Sequence, residues 1–177
     1  SVYRMMMDHN FRAITVVDET GRLLGMPSIQ ELAQLFLPAQ TNEKTVAANR
    51  EVRTSLLNIV NALDGIVGGT APDLEALQNL VLVVAASSLE TTKKRAQQFA
   101  ADHVVVITGD RPEIHELAVD LGVRCLIITG KFKASTSILS RAAEKGVAII
   151  YSPYDTASTS QLLRFSRPIG EALTHEF

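Results

Sequence analysis

One cysteine and no tryptophan occur in these 177 residues, and aromatic side chains make up only 5% of them. A single thiol, Cys125, allows no internal disulfide, which fits a reducing compartment and sets a cytoplasmic expectation. One cysteine and four scattered histidines cannot build a structural zinc site. Charge of one sign is also scarce: the formal net charge is −2, with no basic block and no aromatic platform, so nothing draws the chain to nucleic acid or an anionic membrane. No apolar run approaches the ~18 residues that span a bilayer, and the sequence sets no expectation of a secretory signal. Phosphate-cradling glycine loops are missing too, both the Walker type and Gly-x-Gly-x-x-Gly after a strand. His115-Glu116 has Val119 where a zinc protease would need its second histidine. Ser87, Ser88 and Ser152 have no histidine loop to activate them, so no catalytic constellation is legible.

What is there is a fourfold rhythm. Four apolar runs, VLVVAA, HVVVIT, RCLIIT and VAIIYS, are each followed by a polar loop and a helix-like stretch. Continuous β-branched runs alternating with helical patterns predict parallel strands buried on both faces. The connections then place four loops at the carboxyl edge of the sheet, where α/β folds bind ligands. Those loops carry Asp110, Arg111, Thr129, Gly130, Lys131, Asp155 and Thr156, a candidate edge for an anion or other ligand. Asp110 and Glu113 are spaced as a capping box around Pro112, and Asp155 and Thr156 as a cap of the last helix. Arg111 in a first helical turn opposes the helix dipole, so it calls for an anionic partner, Asp155 or a bound phosphate. Gly130 reads as a turn with positive φ.

Ahead of this lies a shorter pattern. SVYRMMMDHN reads as the middle and end of a helix, closed by Asp8-His9-Asn10, which suggests a piece of a longer protein. AITVVD is a strand, ETGR a tight turn, LLGM a second strand, and SIQELAQLF a helix with Ser28 and Glu31 as capping box. Residues 39–53 look like a linker, followed by an apolar helix at Thr54–Leu63 with Leu56, Leu57, Val60 and Leu63 on one side. The predicted organisation is therefore a β-β-α unit at 1–38, linker and connecting helix at 39–79, the α/β domain at 80–165, and a tail at 166–177.

The segment DHNFRAITVVDETGRLLGMPSIQEL resembles part of a CBS domain. That family pairs in tandem and commonly binds adenine nucleotides through Gly-x-x-Ser/Thr-x-x-Asp. Here the motif falls on Gly25, Ser28 and Glu31, with Glu in place of Asp, and the resemblance implies AMP, ADP, ATP or a diadenosine polyphosphate as ligand. Gly109-Asp110-Arg111, Thr129-Gly130 and Asp155-Thr156 resemble the DRTGG domain, whose usual second glycine is Lys131 here. That implies a parallel α/β sheet similar to the amino-terminal domain of HPr kinase. A CBS half followed by DRTGG is similar to the regulatory insert of CBS-containing family II inorganic pyrophosphatases. The resemblance implies a catalytic domain in cis that carries Mn2+ and hydrolyses diphosphate, a homodimer, and no catalytic site or metal in this stretch. The alternatives are an architectural or dimerisation DRTGG domain of another enzyme, such as a phosphate acetyltransferase, and a stand-alone phospholigand-binding domain.

Overall fold

The computed structural model describes residues 5–6, 8–9, 11–26 and 51–166. Near the amino end, β1 (Val16–Val17) and β2 (Leu23–Gly25) pair antiparallel. Asp18 makes the turn between them by accepting from the Thr20 and Arg22 amides, both at 2.9 Å, and from the Thr20 hydroxyl. These bonds, the Thr20 hydroxyl's foremost, hold the Asp18 carboxyl below its ordinary pKa. Phe11, Val17, Leu23, Leu24 and Met26 are all about half exposed or more. The expected helix at Ser28, and Glu31 with it, lies outside the described residues.

The larger sheet has six strands in the order β3-β5-β6-β7-β8-β4. They are β3 (Glu51–Thr54), β4 (Ile66–Val67), β5 (Gln78–Val84), β6 (Val104–Thr108), β7 (Cys125–Ile128) and β8 (Ala148–Tyr151). The four predicted apolar runs are β5 to β8, mutually parallel and in sequence order. Five helices cover them: α1 (Leu56–Leu63), α2 (Leu89–Ala96), α3 (Pro112–Leu121), α4 (Thr136–Lys145) and α5 (Thr156–Leu163).

Each parallel strand feeds two cores because successive side chains point to opposite faces. Val104 and Val106 join Ile114, Ala118, Ile138 and Ala142 of the crossover helices on one face. Val105 and Ile107 join Leu56, Ile59 and Leu63 of α1 and Leu163 of α5 on the other. Sequential strand order with right-handed crossovers sends α2, α3 and α4 to the same side. Each fully buried Leu or Ile contributes about 1.5–3 kcal/mol relative to exposure. Gly122 ends α3 in the left-handed conformation, φ 66°, donating to Ala118 and Val119.

Two expectations are corrected here. The linker expected at 39–53 ends earlier, because Glu51–Thr54 is β3, paired antiparallel with β5; β4 pairs antiparallel with β8, so the stretch 51–67 supplies both edge strands of the sheet. Glu-Val-Arg-Thr and Ile-Val are too short and too mixed to announce strands. The α1 helix begins after Ser55, whose side chain accepts from the Asn58 amide, and it buries Leu56, Ile59, Ala62 and Leu63 while Leu57 is exposed. Its apolar face is therefore satisfied within the chain. At the far end, Arg164–Ser166 form a 3-10 turn in which Ser166 is buried.

Candidate functional site

All four loops after the parallel strands lie at the carboxyl edge, as the topology requires. Arg111 does not sit inside the first turn of α3 but at its N-cap, with no side-chain capping bond, and Pro112 follows at N1. The Arg111 amide donates to Gly109 O at 3.0 Å, a tight turn that moves the cap one residue past Asp110. Asp110 is exposed and caps nothing, so the expected Asp110–Glu113 box is absent. The Glu113 carboxylate instead folds onto its own amide and onto Arg111, which together hold it below the usual carboxylate range.

Arg111 also does not reach Asp155. Its Nε donates to Glu113 Oε1 at 2.9 Å, and its Nη1 donates to the carbonyls of Ala85 at 2.9 Å and Ser87 at 2.8 Å. A guanidinium offers several fixed donors, so one side chain can bond a carboxylate and two carbonyls together. The cation thus ties the loop after β6 to the loop after β5. Beneath it, buried His115 donates from Nε2 to Gly109 O at 3.0 Å and fixes the floor of the same turn.

Thr129 joins the next pair of loops. Its amide and hydroxyl both bond Thr108 O, at 2.9 and 3.2 Å, and its Oγ1 lies 2.8 Å from Thr156 Oγ1. Gly130 donates to Tyr154 O at 2.8 Å. With φ 71°, Gly130 adopts the turn that its position predicts, and a Cβ there would come within 3.2–3.3 Å of the Phe132 ring. Lys131 follows with φ 68°, a conformation that suits the second glycine of the motif better than lysine. Asp155 caps α5 as expected, accepting from the Ser158 amide at 2.9 Å and the Ser158 hydroxyl at 2.8 Å. Those bonds, the amide's first, depress its pKa.

The candidate residues are therefore brought to one edge, but most of their polar groups are taken up within the protein: Thr129 and Thr156 bond each other, and Arg111, Gly130 and Asp155 bond neighbouring groups. Lys131 and Asp110 remain exposed to solvent. The Thr108 hydroxyl is buried there without a partner. A hollow of about 250 Å³ lies elsewhere, between the ends of α2 and α3, lined by Ala96, Phe99, Leu121 and Val123. Among the described residues no three His, Cys, Asp or Glu side chains gather to hold a metal. No described helix is long and apolar enough to cross a membrane.

Sequence reasoning missed the carbonyls of Ala85 and Ser87 as the partners of Arg111, because backbone acceptors leave no residue signature. It also weighed His115 only as half of a zinc-protease motif and missed its bond to Gly109 O, although its place one turn into α3, six residues after Gly109, was open to inspection. Of the nucleotide motif, Gly25 ends β2, paired with Val16; Ser28 and Glu31 are beyond description here.

Comparison with known proteins now bears on this geometry. The profile of the DRTGG domain family matches residues 58–165. A cobalt-dependent inorganic pyrophosphatase of Clostridium perfringens is 28% identical over 174 residues, which is 98% of this chain and 30% of that protein. The chain thus spans under a third of the length of that curated relative. A crystal structure of the CBS and DRTGG domains of the regulatory region of C. perfringens pyrophosphatase, complexed with the activator diadenosine tetraphosphate, superposes with TM-score 0.76. It is 27% identical, and the match covers 99% of this chain and 72% of that one.

Proposed function

Since the chain belongs to the DRTGG domain family, we propose that it is the regulatory region of an inorganic pyrophosphatase and senses adenine nucleotides through its CBS part. The observation that carries this reading is the match over 99% of the chain to a CBS and DRTGG regulatory region whose activator is diadenosine tetraphosphate. In this reading Gly25, Ser28 and Glu31 receive the nucleotide, with the longer Glu31 accepting from ribose hydroxyls. The ligand binds one arrangement of the CBS parts better than another and so shifts the population of an attached catalytic domain. The chain's own residues bind and transmit; diphosphate hydrolysis belongs to the catalytic domain in cis. The relative's name gives cobalt where manganese was expected, and the metal is assigned to that domain, not to this stretch. Homodimer formation fits the exposed Phe11, Val17, Leu23, Leu24 and Met26 of the β1-β2 unit, and a cytoplasmic setting fits the lone thiol.

A second reading is favoured by the bonded carboxyl edge: the α/β unit is architectural, Arg111, Thr129, Gly130 and Thr156 hold loops together without a ligand, Asp155 caps its own helix, and Lys131 is left as the exposed cation that could meet an anion. Calorimetric titration with AMP, ADP, ATP and diadenosine tetraphosphate separates the two. The regulatory reading expects micromolar binding that is lost in Ser28→Ala and unchanged in Lys131→Ala. No binding, even with a second CBS half appended, removes it.

A further inference from the structure

The helices that cover the sheet are not held to it by the same chemistry. α1 buries Leu56, Ile59, Ala62 and Leu63, and α3 buries Ile114, His115, Ala118 and Val119. α5 reads TASTSQLL and buries only Thr159 and Leu163. Its amino-terminal half is attached through pairs of hydroxyls. Thr156 Oγ1 lies 2.8 Å from Thr129 Oγ1, and Thr159 Oγ1 lies 2.7 Å from Ser152 Oγ. The second pair is out of water, with Thr159 0% and Ser152 1% exposed. The other end of α5 is anchored differently. Leu163 joins the core beside α1, and the 3-10 turn that follows accepts from Thr54 Oγ1 at Ser166 O, 2.6 Å away. Release therefore costs different things at the two ends. Lifting Leu163 would expose apolar surface to water. Lifting Thr156 and Thr159 exchanges each hydroxyl bond for one to water, which serves a hydroxyl equally well as donor or acceptor.

We propose that the amino-terminal half of α5 is a movable flap, which leaves the sheet in a local opening hinged at Leu163 while α1, α3 and the strands stay in place. A helix this short does not persist once its contacts are gone, so opening also unwinds it. The consequence reaches the carboxyl edge. Thr156 is the partner of Thr129, and Tyr154 O, in the loop that leads into α5, accepts from the Gly130 amide at 2.8 Å. The closed flap holds the loop that carries Lys131, and the open flap frees it.

The test is amide hydrogen exchange followed by NMR on the full chain, without nucleotide. The Thr159, Ser160 and Gln161 amides are expected to be at least tenfold less protected than those of Ala118 and Val119 in α3. Their exchange should also depend little on dilute urea, the mark of a local opening. Equal protection of the two helices, or a urea dependence in α5 as steep as in α3, overturns the flap. Thr159→Val keeps the shape, removes one hydroxyl and leaves the Ser152 hydroxyl without that partner. It is expected to speed α5 exchange threefold or more with α3 unchanged. Ser152→Ala combined with Thr159→Val replaces the pair by apolar groups, and is expected to exchange more slowly in α5 than Thr159→Val alone. Unchanged α5 exchange in Thr159→Val, equal acceleration of α3, or a double variant as fast as the single one is equally fatal. If Thr159→Val does not fold, Thr156→Val serves instead, at a position only partly buried, with the same acceleration of α5 expected and its absence decisive. Because exchange is read without ligand, failure here leaves the nucleotide reading to be judged by the calorimetric titration.

Discussion

Arg111 holds three acceptors, two carbonyls of the loop after β5 and the Glu113 carboxylate of α3, and its side chain is about one-third exposed. Removing it leaves the Ala85 and Ser87 carbonyls without their donor, a loss of about 1–3 kcal/mol for buried acceptors and toward the low end here. Arg111→Ala should therefore lower stability by about 1 kcal/mol, read as a fall in the urea midpoint, and Arg111→Lys should recover little, because an ammonium lacks the planar fork. Asp155 offers a pH test. Its pKa is depressed in the folded chain, so its contribution is complete above the unfolded value near ~3.9 and is lost as pH falls through the lower folded value. Asp155→Ala should melt below the parent chain at pH 7, and the gap should close on acidification below pH ~4; a gap that persists at pH 2 would contradict the assignment. The sequence showed that Asp155 caps a helix and that Gly130 turns the chain, since both follow from one residue's own chemistry. It misplaced the cap of α3, because a tight turn at Gly109 displaces it by one position and no residue type marks that turn.

Secondary-structure elements divide in the same way. The strands β5 to β8 were legible because Val, Ile and Leu run without interruption where both faces are covered. The strands β3 and β4 were not, since edge strands bury one face or less: Val52 and Thr54 are buried while Glu51 and Arg53 are exposed, and Ile66 is 64% exposed. Only the sheet they complete identifies them. A fragment of residues 80–165 would accordingly leave Leu80, Leu82, Val105, Ile107, Ile127 and Ile150 without the α1 side of their core. We expect that fragment to be insoluble or molten, and residues 51–166 to unfold in one cooperative transition by calorimetry. Ile59→Ala in the longer fragment should cost about 2–5 kcal/mol, the range for a fully buried aliphatic side chain.

For the whole molecule, Cys125 reports on integrity. It sits in β7 between two covered faces, and burial pushes its thiol pKa up to about 12. A thiol reagent at pH 8 should leave the native chain unmodified and react at the rate of global unfolding, so labelling measured against urea should follow the circular dichroism midpoint. Reaction well before that midpoint would mean that the sheet opens locally around β7.

Both edges of the sheet are closed by the stretch 51–67, which a ribosome makes before any of the parallel strands. β3 can pair as soon as β5 emerges, but β4 must wait for β8, and the turn ending at Ser166 comes later still. Until then the apolar face of α1 has nothing complete to rest on. The unit matures at the end of its own synthesis, and a chain that stalls before Tyr151 exposes an unfinished hydrophobic layer to whatever chaperone is at hand.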